Sequence, residues 1–196
     1  MKRKKTTDEY LSEMGYSLFD EYTGAVEFAA IDEGARVFDA ATGSGRMTRV
    51  LSKKGYQTIS GDIEWQKLEA VRDFPIFAGA HEIEFIQLDL YRLCFRDSLL
   101  DNIVCANLFH EVKRPESVLS ELLRIFSGSG KMVLLDFTKR GFSVIDEISR
   151  MRHRKAHTVK GAMSFKAIRS LLKERKLNFQ EMDFPLNWVY VVSGKR

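Results

Sequence analysis

Short apolar runs alternate with stretches in which apolar positions recur every three or four residues. The runs at 35–40, 57–61, 83–88, 102–106 and 131–135 have strand length. Helical spacing predicts helices over about 45–54, 65–74 and 115–126, with Gly55 placed to end the first and Pro115 to open the third. A parallel sheet covered on both faces has this rhythm, so the pattern predicts a doubly wound α/β fold. Ahead of the first strand, Tyr10, Met14, Leu18, Tyr22, Val26 and Ala29 are spaced for one or two amphipathic helices, an N-terminal helical cap over 1–33. Near the end, Phe165, Ile168, Leu171 and Leu172 share one face of a helix running from Ser164 to about Arg175. Strands near 178–182 and 188–192 follow, and the turn between them, containing Pro185, makes the last strand antiparallel to its neighbour. Only 137–163 follows neither period, and it reads as an insertion on the substrate side.

Composition narrows the class without changing the fold. A chain of 196 residues, 44% hydrophobic and 30% charged with three prolines, suits one globular domain, 1–196. The two cysteines, Cys94 and Cys105, make neither a C-x-x-C pair nor a four-ligand metal site, and suit a reducing, cytoplasmic setting. Met1–Lys5 is basic but polar residues follow it, so no apolar signal core is expected. No apolar run is long enough to span a membrane.

The chemistry concentrates where strands end. Val37-Phe38-Asp39-Ala40-Ala41-Thr42-Gly43-Ser44-Gly45 is a hydrophobic strand ending in a carboxylate, then a small-residue turn that opens a helix. Ligands of open parallel sheets bind outside the carboxyl ends of the strands. Gly43 and Gly45 allow close backbone approach, and the helix start offers free N–H groups to an anionic group. A dinucleotide fingerprint read from Gly43 fails at its third glycine, which is Thr48, and no Gly-Lys-Ser/Thr follows to make a phosphate loop. Asp39 suits a zwitterionic ligand with an ammonium group better than a pyrophosphate. The second strand ends in Asp62, nineteen residues after Gly43, where a carboxylate accepts from a ribose diol. The third ends at Leu88-Asp89-Leu90, where Asp89 accepts from an adenine amine, and Ile63 is placed to pack on the adenine face.

These residues resemble the class I S-adenosylmethionine-dependent methyltransferases, especially their small-molecule branch. The resemblance covers roughly 34–136 and rests on Asp39-Ala-Ala-Thr-Gly-Ser-Gly45, Gly61-Asp62-Ile63, Leu88-Asp89, Asp101-Asn-Ile-Val-Cys-Ala-Asn107 with His110, and the stretch from Glu121 to Gly130. It implies a Rossmann-like seven-stranded sheet in the order 3-2-1-4-5-7-6 with strand 7 antiparallel. It also implies S-adenosyl-L-methionine as cofactor, with Asp39, Ala41, Gly43, Gly45, Asp62, Ile63, Asp89, Leu90 and Asn107 around it, and no metal. Glycine is commonest in the family where Ala41 stands here, a departure bearing on affinity more than identity. Asn107-Leu108-Phe109-His110 lacks the Pro-Pro-aromatic sequence of methyltransferases acting on the amino groups of adenine or glutamine, which argues against that substrate class.

Two features leave alternatives open. His110, just past the fourth strand, is either a catalytic base or orienting group, or a rim residue that packs and hydrogen-bonds. The stretch 139–160 holds seven basic and two acidic side chains, a net of +5 against +4 for the whole chain. That charge fits an anionic small-molecule substrate met by Arg152 and Arg154, an RNA partner, or a solvated helix face. The expected reaction is direct methyl displacement onto a small-molecule acceptor. The alternatives are an RNA methyltransferase and a noncatalytic cofactor-binding partner in a complex.

Overall fold

The computed structural model describes residues 5–74, 83–152 and 165–195. Seven strands form one sheet: β1 (Arg36–Ala40), β2 (Gln57–Asp62), β3 (Ile83–Gln87), β4 (Ile103–Ala106), β5 (Met132–Phe137), β6 (Leu177–Asp183) and β7 (Asn187–Lys195). Their order is β3-β2-β1-β4-β5-β7-β6. The first five are parallel where they pair, and β7 runs antiparallel to both β5 and β6. The helices among the described residues are α1 (Thr7–Glu13) and α2 (Leu18–Ala29) ahead of the sheet, then α3 (Arg46–Lys53), α4 (Trp65–Arg72), α5 (Pro115–Ile125), α6 (Lys139–Met151) and α7 (Phe165–Glu174) between strands. No helix among the described residues is long and apolar enough to cross a membrane.

Successive strand residues point to opposite faces, and the core divides accordingly. Val37, Val104, Val133, Leu135, Val189 and Val191 pack with Leu18, Val26, Val50 and Ile148 from α2, α3 and α6. Their neighbours in sequence, Phe38, Ile103, Cys105, Met132, Leu134 and Tyr190, pack with Leu119, Leu122, Ile168 and Leu172 from α5 and α7. Because both faces are covered, the central strands read as unbroken apolar runs rather than as alternating ones. Trp188 on β7 is buried with this second group.

The N-terminal region is two helices. Thr6 and Glu9 make a reciprocal capping box at α1, Gly15 adopts a φ of +79° after it, and the Ser17 side chain caps α2. The largest departure from the sequence reading lies in 137–163. Phe137 is still part of β5, and Lys139–Met151 is a helix capped by Thr138, whose hydroxyl accepts from Gly141 N at 3.1 Å. Phe142, Ile145, Ile148 and Met151 do recur every three residues. Lys139, Arg140 and Gly141 in the first turn obscure that period. Gly141 is there for packing: a Cβ at this position would lie 2.2 Å from the Leu186 carbonyl oxygen in the β6–β7 turn.

Candidate cofactor and active site

The turn after β1 is built by backbone bonding to β2. Ala41 N and Thr42 N both donate to Gly61 O at 2.9 Å, which draws the chain sharply across the strand end. Ala41, Gly43 and Gly45 all have positive φ, at 75°, 53° and 73°. A Cβ on Gly43 would meet only Ala41 O, at 3.9 Å, whereas one on Gly45 would stand 2.6 Å from Val71 Cγ1 on α4. Gly43 therefore lies on the wall of a cavity, while Gly45 brings α3 close to α4 and is not on that wall.

Asp39 also differs from expectation. It is fully buried beneath the turn and away from the cavity wall, with Oδ2 accepting from Thr48 Oγ1 at 2.7 Å and Ser60 Oγ at 2.9 Å. Ser60 Oγ is in turn 2.7 Å from Thr42 Oγ1, so the carboxylate anchors the floor of the turn. Thr48, the residue that breaks the dinucleotide fingerprint, is thus used as a donor to Asp39. Burial pushes the Asp39 carboxyl up to about 6, against the opposing effect of those two hydrogen bonds.

Asp62 ends β2 facing the same turn. Its Oδ2 accepts from Gly43 N at 2.9 Å and its Oδ1 from Glu64 N at 3.0 Å, which ties the two strand-end loops together. A carboxylate has about four acceptor sites, so further donors can still be met. Ile63 beside it is 59% exposed although apolar. Asp89 accepts from Tyr91 N at 2.9 Å, and with Leu90 it lines the same cavity. Trp65 does not line it.

On the other side, Asn107 leaves β4 with a φ of +50°, and its Nδ2 donates to the Tyr22 hydroxyl of α2 at 2.7 Å. Its Oδ1 is buried without a hydrogen-bond partner. His110 is 3% exposed, and its Nδ1 lies 2.6 Å from Oδ1 of Asp136 at the end of β5. Asp136 is held by two backbone groups, accepting from Phe137 N at 2.7 Å and from His110 N at 3.1 Å. The rings of Phe137 and Phe142 pack on the imidazole, with centroids 5.4 and 5.2 Å away.

The cavity joining these groups has a volume of about 450 Å³. Ala41, Gly43, Asp62, Ile63, Asp89 and Leu90 line one part, and Asn107, His110, Phe137 and Arg152 another. Arg152, at the end of α6, bonds Thr7 Oγ1 of α1, and Arg46 Nε donates to Asp8 Oδ1 of the same helix at 2.9 Å. Arg154 lies outside the described residues. Among the described residues, no group of three or more His, Cys, Asp or Glu is placed to hold a metal ion.

Residues 38–134 match the family described as Methyltransferase domain. A ubiquinone/menaquinone biosynthesis C-methyltransferase of Pseudomonas savastanoi pv. phaseolicola is 31% identical over 119 residues, which is 59% of this chain and 46% of that protein. Residues 38–134 are a methyltransferase domain of the class I S-adenosylmethionine-dependent kind. Solved structures share the fold. A SAM-dependent methyltransferase of Aquifex aeolicus superposes with a TM-score of 0.69 at 16% identity over 96% of this chain and 98% of that one. The YcgJ protein of Bacillus subtilis gives 0.69 at 15%, over 90% and 100%. The chain spans about half the length of the curated relatives it matches.

The cavity of this domain suits the cofactor that its family implies, S-adenosyl-L-methionine. Gly43 leaves room for a close approach, exposed Ile63 offers an apolar face, and Asn107 Oδ1 is an unsatisfied acceptor. Sequence reasoning missed Asp136 and Tyr22. Asp136 had a signal: like Asp39 and Asp62, it is an acid at a strand end, hidden because β5 was expected to stop one residue earlier. Tyr22 had none, since only the folded chain brings α2 beside β4.

Proposed function

We propose that this methyltransferase carries out direct methyl displacement onto a small-molecule acceptor seated beside His110. The supporting observation is a single cavity of about 450 Å³ that joins the loops after β1, β2, β3 and β4, within the range of small-ligand sites. The Ala41–Ser44 turn and Asn107 would hold the methionine part of the cofactor, Asp62 the ribose, and Asp89, Leu90 and Ile63 the adenine. Asp39 and Gly45 act on that site from beneath, by fixing the turn. When bound, S-adenosylmethionine supplies an electrophilic methyl group on a sulfonium. The chain's part is to place an acceptor against it, a contribution of about 7 to 11 kcal/mol when the geometry is right.

Among the described residues the acceptor side is formed by His110, Glu111, Phe137, Ile145 and Arg152, a partly apolar pocket whose Arg152 suits an anionic or polar head on an apolar body. The relatives named for C-methylation in ubiquinone and menaquinone biosynthesis support a ring-bearing small molecule. We read 1–196 as one domain, with α1 and α2 as its cap.

Calorimetry with S-adenosylhomocysteine and with NAD is the first test: binding of the former alone is expected, and binding of NAD alone overturns the reading. Transfer from methyl-labelled cofactor into a cell extract, sorted into small molecules, RNA and protein, is the second. Label confined to RNA or protein removes the small-molecule acceptor.

A further inference from the structure

We propose that Tyr91 is a positioning residue that couples the adenine end of the cofactor site to the acceptor-side segment 111–114. The inference rests on the reading above, in which Asp89 and Leu90 hold the adenine.

The turn that bears Tyr91 is pinned at both ends. On one side Leu88 N donates to Asp62 O at 3.0 Å, at the end of β2. On the other, the main chain of Leu93 is clasped by α5: its N–H donates to Glu121 Oε2 at 2.9 Å, and its carbonyl accepts from Arg124 Nη2 at 3.0 Å. Arg124 Nη1 also donates to Phe95 O at 2.9 Å, and Nη2 pairs with Glu121 Oε2 at 2.8 Å. Glu121 and Arg124 belong to a stretch that carries the methyltransferase resemblance, and this clasp is what they form in the folded chain. Between the pins, Arg92 N donates to Asp89 O at 3.0 Å and Tyr91 N to Asp89 Oδ1 at 2.9 Å, so 89–92 is a closed turn. A ligand held by Asp89 and Leu90 therefore orders Tyr91 as well.

From that turn the Tyr91 side chain crosses to the loop after β4. Its hydroxyl accepts from the main-chain N–H groups of Lys113 at 3.0 Å and Arg114 at 3.2 Å, and the Arg114 guanidinium lies over the ring, 4.9 Å from its centre. Arg114 is the N-cap of α5 and brings no capping hydrogen bond from its own side chain. The segment ahead of it lines the acceptor side of the cavity with Leu108, His110, Glu111 and Val112. The first part of that segment is fixed to the sheet, because Asn107 N donates to Leu135 O at 2.9 Å and His110 N to Asp136 Oδ2 at 3.1 Å. Its far end is fixed by the Tyr91 hydroxyl. Lys113 and Arg114 do not line the cavity, so a ligand there acts on them through a residue that does, and Tyr91 both lines it and bonds to the two of them.

The consequence is an order of assembly. Fixing the 89–92 turn costs conformational entropy, and the bound cofactor meets that cost. With Tyr91 already held, 111–114 needs less ordering to receive an acceptor, so the acceptor finds its side of the cavity formed once the cofactor is in place. Linkage makes the coupling reciprocal: an acceptor-side ligand tightens the cofactor by the same factor.

The test is amide hydrogen exchange of the full chain, read residue by residue with and without saturating S-adenosylhomocysteine. In the parent the amides of Lys113 and Arg114 are expected to slow on saturation by about two- to tenfold, the equivalent of one neutral hydrogen bond. The Ala35 amide, which donates to Asp32 O just ahead of β1 at the opposite end of that strand, is the control and should keep its rate. Tyr91→Phe retains the ring and removes the acceptor, so both amides should exchange faster in the free variant and no longer respond to the ligand. A side chain that only props the loop would give the faster exchange in the variant but leave the parent unresponsive. No slowing in the parent, equal slowing at Ala35, or a response that survives in Tyr91→Phe overturns the proposal. Should the variant misfold, the parent decides: a common slowing factor for the Tyr91, Lys113 and Arg114 amides marks one cooperative unit and supports the coupling, and factors differing by more than about threefold overturn it. Calorimetry with S-adenosylhomocysteine keeps the two levels apart, since no binding by the parent defeats the methyltransferase reading, whereas binding without an exchange response defeats this inference alone.

Discussion

Asp62 does two things with one carboxylate: it ties the Gly43 turn to the start of α4, and it stands where the cofactor's ribose is proposed to lie. Hydrogen bonds to a charged acceptor contribute about 1.5 to 3 kcal/mol each. Asp62→Ala is therefore expected to weaken S-adenosylhomocysteine binding roughly tenfold to a thousandfold, with the circular dichroism of the fold retained. An unchanged dissociation constant removes Asp62 from the site. Asp39 acts differently, through proton uptake. Its carboxyl titrates at about 6 when folded and at the ordinary 3.8 when not, so between those values the folded protein binds more protons than the unfolded chain. Stability from this group is present below pH 3.8 and is lost as pH rises through about 6, a change on the order of 3 kcal/mol. Urea denaturation of the parent and of Asp39→Asn at pH 4 and pH 7 should show the parent losing ground to the variant at the higher pH. Equal differences at both values would sink the assignment. Asp62 was legible in the sequence because strand length and spacing alone placed it at a strand end. The role of Asp39 was not, because Thr48 and Ser60 reach it from two other elements.

At the scale of elements, the alternation of apolar runs and helical periods was enough to place the strands within a residue or two, except that β7 runs three residues further than expected, to Lys195. Order within the sheet was not legible that way: periodicity says nothing about which strand neighbours which, and the 3-2-1-4-5-7-6 arrangement came from resemblance. The missed element was α6. Its apolar stripe is regular, but its first turn holds two cations and a glycine, and only the turn between β6 and β7 explains the glycine. Gly141→Ala isolates that cause. Alanine is the better helix former by about 1 kcal/mol, yet its Cβ would stand 2.2 Å from Leu186 O and 2.9 Å from Phe137 Cδ1. Backbone on one side and a packed ring on the other leave little room to adjust, and overpacking of this kind costs about 1 to 3 kcal/mol. Net destabilisation in urea denaturation is the expected outcome, and a more stable variant would show that α6 can shift away from the turn. The same turn is held by α2, where buried Glu21 accepts from Leu186 N at 3.0 Å and Asn187 Nδ2 at 2.7 Å. Both helices that flank the acceptor side are thereby referenced to one point.

For the molecule as a whole, the cavity is closed by parts distant in sequence. The strand-end loops form its floor, and α1 lies at its mouth, joined to α3 by the Arg46–Asp8 pair and to α6 by the Arg152–Thr7 hydrogen bond. Both joints are polar and partly exposed, and exposed pairs contribute about 0 to 1 kcal/mol each. Leu11 of α1 is fully buried in the core, so what these two joints leave free to loosen is the polar edge of the helix beside the cavity, which suits a site that must admit one ligand and release another. The double substitution Asp8→Ala with Arg152→Ala should accordingly leave the urea midpoint nearly unchanged and speed S-adenosylhomocysteine dissociation by a few-fold, at most about tenfold for 1.4 kcal/mol lost. Stopped-flow displacement measures that rate directly. Added salt should move the parent toward the variant, because exposed charges are screened over about 8 Å at physiological ionic strength. Dissociation rates that agree between parent and double variant at low salt would mean that α1 does not gate the cavity, and that its contacts with α3 and α6 serve only to dock the N-terminal helix.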